Sequence, residues 1–174
     1  MTNRKYYYFV EGQCEEKLVK ALKLNPALLM PGKVKIFNVV QNIISLSILM
    51  SIEPGSAAVL IFDTDKAETD HLKSNINSLK KRCSGVDVLT ILQVLNFEDE
   101  IERATDVKNA ENLTKSKTVE DFKSTVNRIK DVDFRRMLER HRLDMNELWE
   151  KSRPKRSDSL RRTQRRLKPE HRIP

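Results

Sequence analysis

Cysteine, glycine, tryptophan and long apolar runs are all scarce in this 174-residue sequence, and each scarcity excludes something. Two cysteines, Cys14 and Cys83, make neither a disulfide framework nor a metal-binding pair, which suits a reducing compartment. His71, His141 and His171 are dispersed, with no two at metal-ligand spacing. The longest mostly apolar run, Ile43 to Ile52, is too short to span a bilayer and is broken by three serines. After Arg4 and Lys5, the apolar stretch Tyr6 to Val10 stops at Glu11, well short of a secretory signal core. A soluble, cytoplasmic protein with no membrane partner is expected. The chain also has no G-x-x-x-x-G-K-[ST] phosphate loop.

What is abundant is positive charge, and it is unevenly placed. The net charge is +8, yet residues 151–174 hold ten basic and two acidic residues, which leaves 23 of each sign in residues 1–150. The body is neutral and the tail carries the excess. Such a tail cannot bury enough apolar surface to offset its ordering entropy, so it should be disordered or bound to a polyanion. Arg156, Arg161, Arg162, Arg165 and Arg166 are the candidate nucleic-acid contacts, although a protein partner would be served by the same charge.

The glycines at 12, 32, 55 and 85 punctuate the first hundred residues. Lys5 to Val10 reads as a strand, and Glu15 to Leu24 as a helix with Leu18, Val19, Ala21 and Leu22 on its apolar face. Lys33 to Val40 predicts a second strand, and Ile43 to Ile52 a helix closed by Pro54-Gly55. Ala57 to Phe62 contains no polar residue, the pattern of a strand covered on both faces. Leu72, Ile76 and Leu79 space a helix that ends near Gly85, and Val86 to Val94 predicts a fourth strand. Strands alternating with helices imply βαβ units and a mostly parallel α/β sheet. From Phe97 only short helices are expected, over 97–104, 119–129, 134–140 and 145–149. The chain thus divides into an α/β domain (1–105), a helical extension (106–150) and the basic tail (151–174).

In an open parallel sheet, ligands bind beyond the carboxyl ends of the strands, so the residues that terminate strands carry the chemistry. Glu11 terminates the first strand and Asp63-Thr64-Asp65 the third, where a spacing of two lets both carboxylates face the same side. Three such carboxylates make a hard-oxygen site suited to Mg²⁺ or Mn²⁺. Gly12 permits a close backbone approach next to Glu11, leaving room for a phosphate at the following helix N-terminus. Plainer roles compete. Asp65 or Asp70 would serve equally to begin the next helix, and Glu15 and Glu16 are favoured in a helix's first turn by its dipole alone. Tyr6, Tyr7 and Tyr8 alternate faces and are better suited to packing than to stacking bases.

Phe9-Val10-Glu11-Gly12-Gln13-Cys14-Glu15-Glu16 together with Leu60-Ile61-Phe62-Asp63-Thr64-Asp65 resembles the Toprim domain of topoisomerases, primases and small nucleases, above all the version in OLD-family nucleases of phage defence. Residues 5 to about 105 are covered. The resemblance implies a Toprim-like, Rossmann-like fold with a four-stranded sheet. It implies a divalent-metal-dependent nuclease or nucleic-acid phosphotransfer protein acting on DNA or RNA. By the same resemblance Glu11 is a metal ligand or acid/base, and Asp63 and Asp65 are the metal-binding pair. Glu15 matches the second acid of the opening motif, and Phe97-Glu98-Asp99-Glu100 the acidic cluster for a second metal, which adds Glu98 and Glu100 to the ligand set. OLD nucleases also carry a downstream lysine near the scissile phosphate, for which Lys115, Lys117 and Lys123 are candidates. An ATPase or other defence-system partner would complete such a protein.

Two other functions fit parts of the pattern. Leu60 to Asp65 also resembles the opening motif of haloacid-dehalogenase-type phosphatases, but two strands precede it and Ala67 stands where that motif has threonine. A non-catalytic module that binds nucleic acid or a partner through the tail would retain the acids only to hold a structural metal. Such a module has no need to concentrate negative charge where phosphates approach.

Overall fold

The computed structural model describes residues 4–63, 70–93 and 96–149. Four strands, β1 (Tyr6–Val10), β2 (Gly32–Ile36), β3 (Ala57–Asp63) and β4 (Asp87–Gln93), form one sheet in the order β2-β1-β3-β4, and every pairing is parallel. Helices α1 (Gln13–Leu22), α2 (Leu46–Met50) and α3 (Asp70–Arg82) connect them, and α4 (Phe97–Ala104), α5 (Ala110–Thr114), α6 (Val119–Arg128) and α7 (Asp131–Arg140) follow. The result is the expected α/β, Rossmann-like arrangement of a parallel sheet flanked by helices. No helix of the described residues is long and apolar enough to cross a membrane.

Alternation along the strands builds two cores. Tyr6, Tyr8 and Val10 of β1 face one side with Val59 and Ile61 of β3, where α1 and the C-terminal helices cover them. Tyr7 and Phe9 face the other with Ala58, Leu60 and Phe62, against Leu49 of α2 and Leu79 of α3. β3 is buried on both faces, as its uniformly apolar sequence requires. The three tyrosines therefore pack within the fold, Tyr6 stacked on Tyr8 with ring centroids 6.2 Å apart.

The helical extension is part of the first core. Phe122, Val126, Phe134 and Leu138 are fully buried in the cluster that includes Tyr8 and Val59, and Leu148 and Trp149 close it. Residues 106–149 thus cover one face of the sheet.

Three elements differ from their expected extents. The second strand ends at Ile36, because Val39 and Val40 enter the core from a loop pinned by its own asparagine: Asn38 Oδ1 accepts from the N–H groups of Val40 (3.0 Å) and Gln41 (2.9 Å). The 43–52 helix shrinks to α2, since Asn75 Oδ1 takes the N–H of Ile44 at 2.7 Å and Ser45 caps the helix only from Leu46 onward. Residues 145–149 form turns, with Asp144 Oδ1 accepting from the Asn146 N–H at 2.7 Å and Trp149 at φ 63°.

Candidate functional site

Strand order β2-β1-β3-β4 sends the β1–β2 connection one way and the β2–β3 connection back across β1, so a topological switch point lies between β1 and β3. Continuing the register Phe9↔Leu60 sets Glu11 level with Phe62, one residue short of Asp63, and Asp63 is itself paired with Gln93 of β4. Glu11 and Asp63 thus stand at the same carboxyl edge of neighbouring strands, both half-buried.

A cleft of ≈ 330 Å³ opens at this edge, and Gly12, Cys14, Glu15, Asp63, Glu98 and Lys123 are among its lining residues. Each arrives by a different route. Gly12 and Glu15 come from the turn into α1, Asp63 from the end of β3, Glu98 from the first turn of α4, and Lys123 from α6 of the extension. Asn96 caps α4 by accepting from the Asp99 N–H at 3.0 Å, which fixes the acidic first turn at the rim. Asn127 binds the start of α1 from the other wall, donating to Gln13 Oε1 at 3.3 Å with Cys14 Sγ 3.7 Å from its Oδ1.

Gly12 shapes this wall. Its backbone is extended, φ −142°, which any residue can adopt, but a Cβ there would come within 2.9 Å of a Glu15 carboxylate oxygen. The glycine therefore lets the Glu15 carboxylate fold back over the turn.

The electrostatics reflect crowded acids around one cation. Burial pushes the Glu15 carboxyl above the ordinary glutamate value; backbone N–H groups hold it partly down, and the nearby Glu98 pushes it up again. Lys123 Nζ lies 2.6 Å from Glu98 Oε1, and this hydrogen bond raises the lysine pKa. The Cys14 thiol is pushed up to about 11, first by burial and then by the Glu15 charge, so it is not a reactive thiolate.

The expected residues divide accordingly. Glu15, Asp63, Glu98 and Lys123 all line the cleft, whereas Glu11, at the same sheet edge as Asp63, is not among its lining residues. Glu100 does not join them: it is fully buried, paired with Arg103 and accepting the Trp149 N–H at 2.9 Å, so it ties α4 to the end of the extension. Lys117 is exposed in the turn before α6, where its backbone N–H bonds Asp121 at 3.2 Å, and it does not line the cleft. Among the described residues no three acidic, histidine or cysteine side chains are already grouped as a metal shell. Asp65 and the arginines 156, 161, 162, 165 and 166 lie outside the described residues. Asn96 and Asn127 were not expected at the site. The first follows the N-cap preference for asparagine ahead of an acidic turn, whereas nothing in the sequence marks the second.

Comparison of the chain with known protein families, curated proteins and solved structures finds no match.

Proposed function

We propose that the protein is a Toprim-type, divalent-metal-dependent nuclease or nucleic-acid phosphotransfer protein. The observation that carries this reading is the meeting of Glu15, Asp63 and Glu98, from three separate connections, with Lys123 in one cleft at the switch point of a parallel sheet. The donor chemistry fits Mg²⁺ or Mn²⁺, since these side chains offer hard carboxylate oxygens and, among the described residues, no competing imidazole lines the cleft. Glu15, Asp63 and Glu98 would hold the metal, with Glu11 at the same sheet edge and Asp65 two residues beyond Asp63 in sequence. When bound, the metal would supply charge neutralisation at the scissile phosphate and a more acidic water.

The chain's own residues have separable roles in this reading. Glu11, next to Gly12 of the cleft, would ligate the metal or accept the proton of the attacking water. Lys123 is the cation placed to meet a phosphate oxygen, and of the three candidate lysines Lys115, Lys117 and Lys123 it alone lines the cleft. The arginines of the tail would hold the nucleic-acid backbone through contacts that carry no sequence information. An anti-phage role with an ATPase partner is the biological setting that the Toprim resemblance suggests.

The test is incubation of the purified protein with plasmid, linear DNA and transfer RNA in Mg²⁺, Mn²⁺ or chelator. Cleavage of at least one substrate with metal and none with chelator is expected. Tight nucleic-acid binding without cleavage in any metal would replace this reading with the non-catalytic binding module.

A further inference from the structure

The Glu98 carboxylate is almost fully buried, with a side-chain exposure of 10%, and its partner in the cleft is an ammonium group whose side chain is 46% exposed. A carboxylate so enclosed requires a compensating positive charge, because an uncompensated charge out of water costs several kcal/mol. Lys123 provides it at 2.6 Å. Lys123 also reaches Glu15 electrostatically, so the two carboxylates on this wall share one cation. The lysine sits on α6 at the solvent side of the pair, on a long flexible stem, whereas Glu98 is fixed in the first turn of a helix capped by Asn96. One partner of the pair can move outward and the other cannot.

We propose that Lys123 is the cleft's resident cation in the metal-free protein, and that metal loading is an exchange in which Glu98 gives up the Lys123 ammonium for the divalent ion. The inference rests on the metal-site reading above and adds its regulation. Exchange keeps the buried charge of Glu98 compensated in both states. It also releases the ammonium toward solvent at the mouth of the cleft, where it can bind an anion only after metal has entered. Metal and phosphate binding are then coupled: each raises the affinity for the other, as linkage requires.

The full-length chain, stripped with chelator, is treated with a limiting amine-acylating reagent in the absence and presence of Mn²⁺, and modification at Lys123 is quantified by mass spectrometry. Exposed Lys130 serves as the internal control. Mn²⁺ binding is followed in parallel by calorimetric titration of the wild-type and Lys123→Ala chains. The exchange predicts that Mn²⁺ increases acylation of Lys123 several-fold and leaves Lys130 unchanged. It predicts that Glu98→Gln makes Lys123 equally reactive without metal, and that Lys123→Ala tightens Mn²⁺ binding several-fold. Mn²⁺ binding with unchanged Lys123 reactivity would overturn the exchange while leaving the metal site in place. Absence of Mn²⁺ binding by both the wild-type and Lys123→Ala chains would overturn the metal-site reading itself.

Discussion

Lys17 and Asp131 are 114 residues apart in sequence and 2.9 Å apart in space, and the same ammonium donates at 2.7 Å to the Ile129 carbonyl. Through this one side chain, only 15% exposed, α1 holds the junction between α6 and α7. The helix that follows Gly12 and the helix that supplies Lys123 are thereby fixed relative to each other.

Replacing Lys17 by Met should therefore destabilise the fold, because the Ile129 carbonyl and the Asp131 carboxylate both lose their donor. A loss of about 1–3 kcal/mol is expected from stranding such groups. Asp131→Asn, which leaves the bond to Ile129, should cost less. Urea unfolding midpoints at constant slope check both the size and the order, and equal effects would mean that the ion pair rather than the shared donor holds the junction.

Gly32 has a different constraint. A Cβ at this position would stand 2.5 Å from the Tyr6 carbonyl oxygen and 2.8 Å from both the Tyr6 Cβ and a Tyr8 ring carbon. Neither a backbone oxygen in the sheet nor a fully buried ring can give way, so Gly32→Ala should cost about 1–3 kcal/mol or more through overpacking and push β2 from β1. Thermal unfolding checks this, and an unchanged midpoint would show that the β1–β2 spacing is not set by this contact.

Much of this frame was legible in the sequence, for physical reasons that differ by element. β3 was plain because a strand covered on both faces tolerates no polar residue, and Ala57 to Phe62 has none. The site acids Glu11 and Asp63 were legible because both end strands, and in a parallel sheet that location has chemical meaning. β2 and α2 are shorter than the apolar pattern predicts because Val39, Val40 and Ile44 are buried from a loop. The clamp on that loop is Asn75, which donates to the carbonyls of Val39 and Asn42 and accepts from the Ile44 N–H. No local pattern announces a partner 31 to 36 residues away. Glu98 and Glu100 look equivalent in sequence, two apart in one acidic run. On a helix two residues apart point about 200° from each other, so only one could face the cleft while the other entered the core. α5 escaped notice because five residues ending in a left-handed Lys115 show no period.

The raised pKa of Glu15 gives stability a defined pH dependence in chelated protein. Its folded value lies above 4.5, so across the interval between 4.5 and that value the native state holds a proton that the unfolded chain releases. Stability must then fall as pH rises through this window, and Glu15→Gln should remove that fall. Urea titrations of both chains from the ordinary glutamate range to neutrality check the sign. A wild type that gains stability relative to Glu15→Gln over this range would contradict the buried placement of Glu15.

Truncation after Trp149 removes ten positive charges and the three negative charges of Glu150, Asp158 and Glu170. The shortened chain should bind nucleic acid more weakly and with a flatter salt dependence, because fewer counterions are released on binding. Every proposed metal ligand lies between Glu11 and Glu98, so cleavage at saturating substrate should survive. Unchanged affinity and salt slope would show that the tail is not an electrostatic tether for nucleic acid and assign it to a protein partner.

The most direct test of the proposed metal-dependent nuclease activity is the Asp63→Asn variant, assayed for Mg²⁺- or Mn²⁺-dependent cleavage alongside its unfolding transition. Asp63 ends a strand buried on both faces and lines the cleft, and the amide conserves its shape while removing a charge from a crowd of like charges. The account predicts that metal-dependent cleavage is abolished while the unfolding midpoint of the metal-free protein is unchanged or raised. Full cleavage activity in a folded Asp63→Asn chain would contradict it.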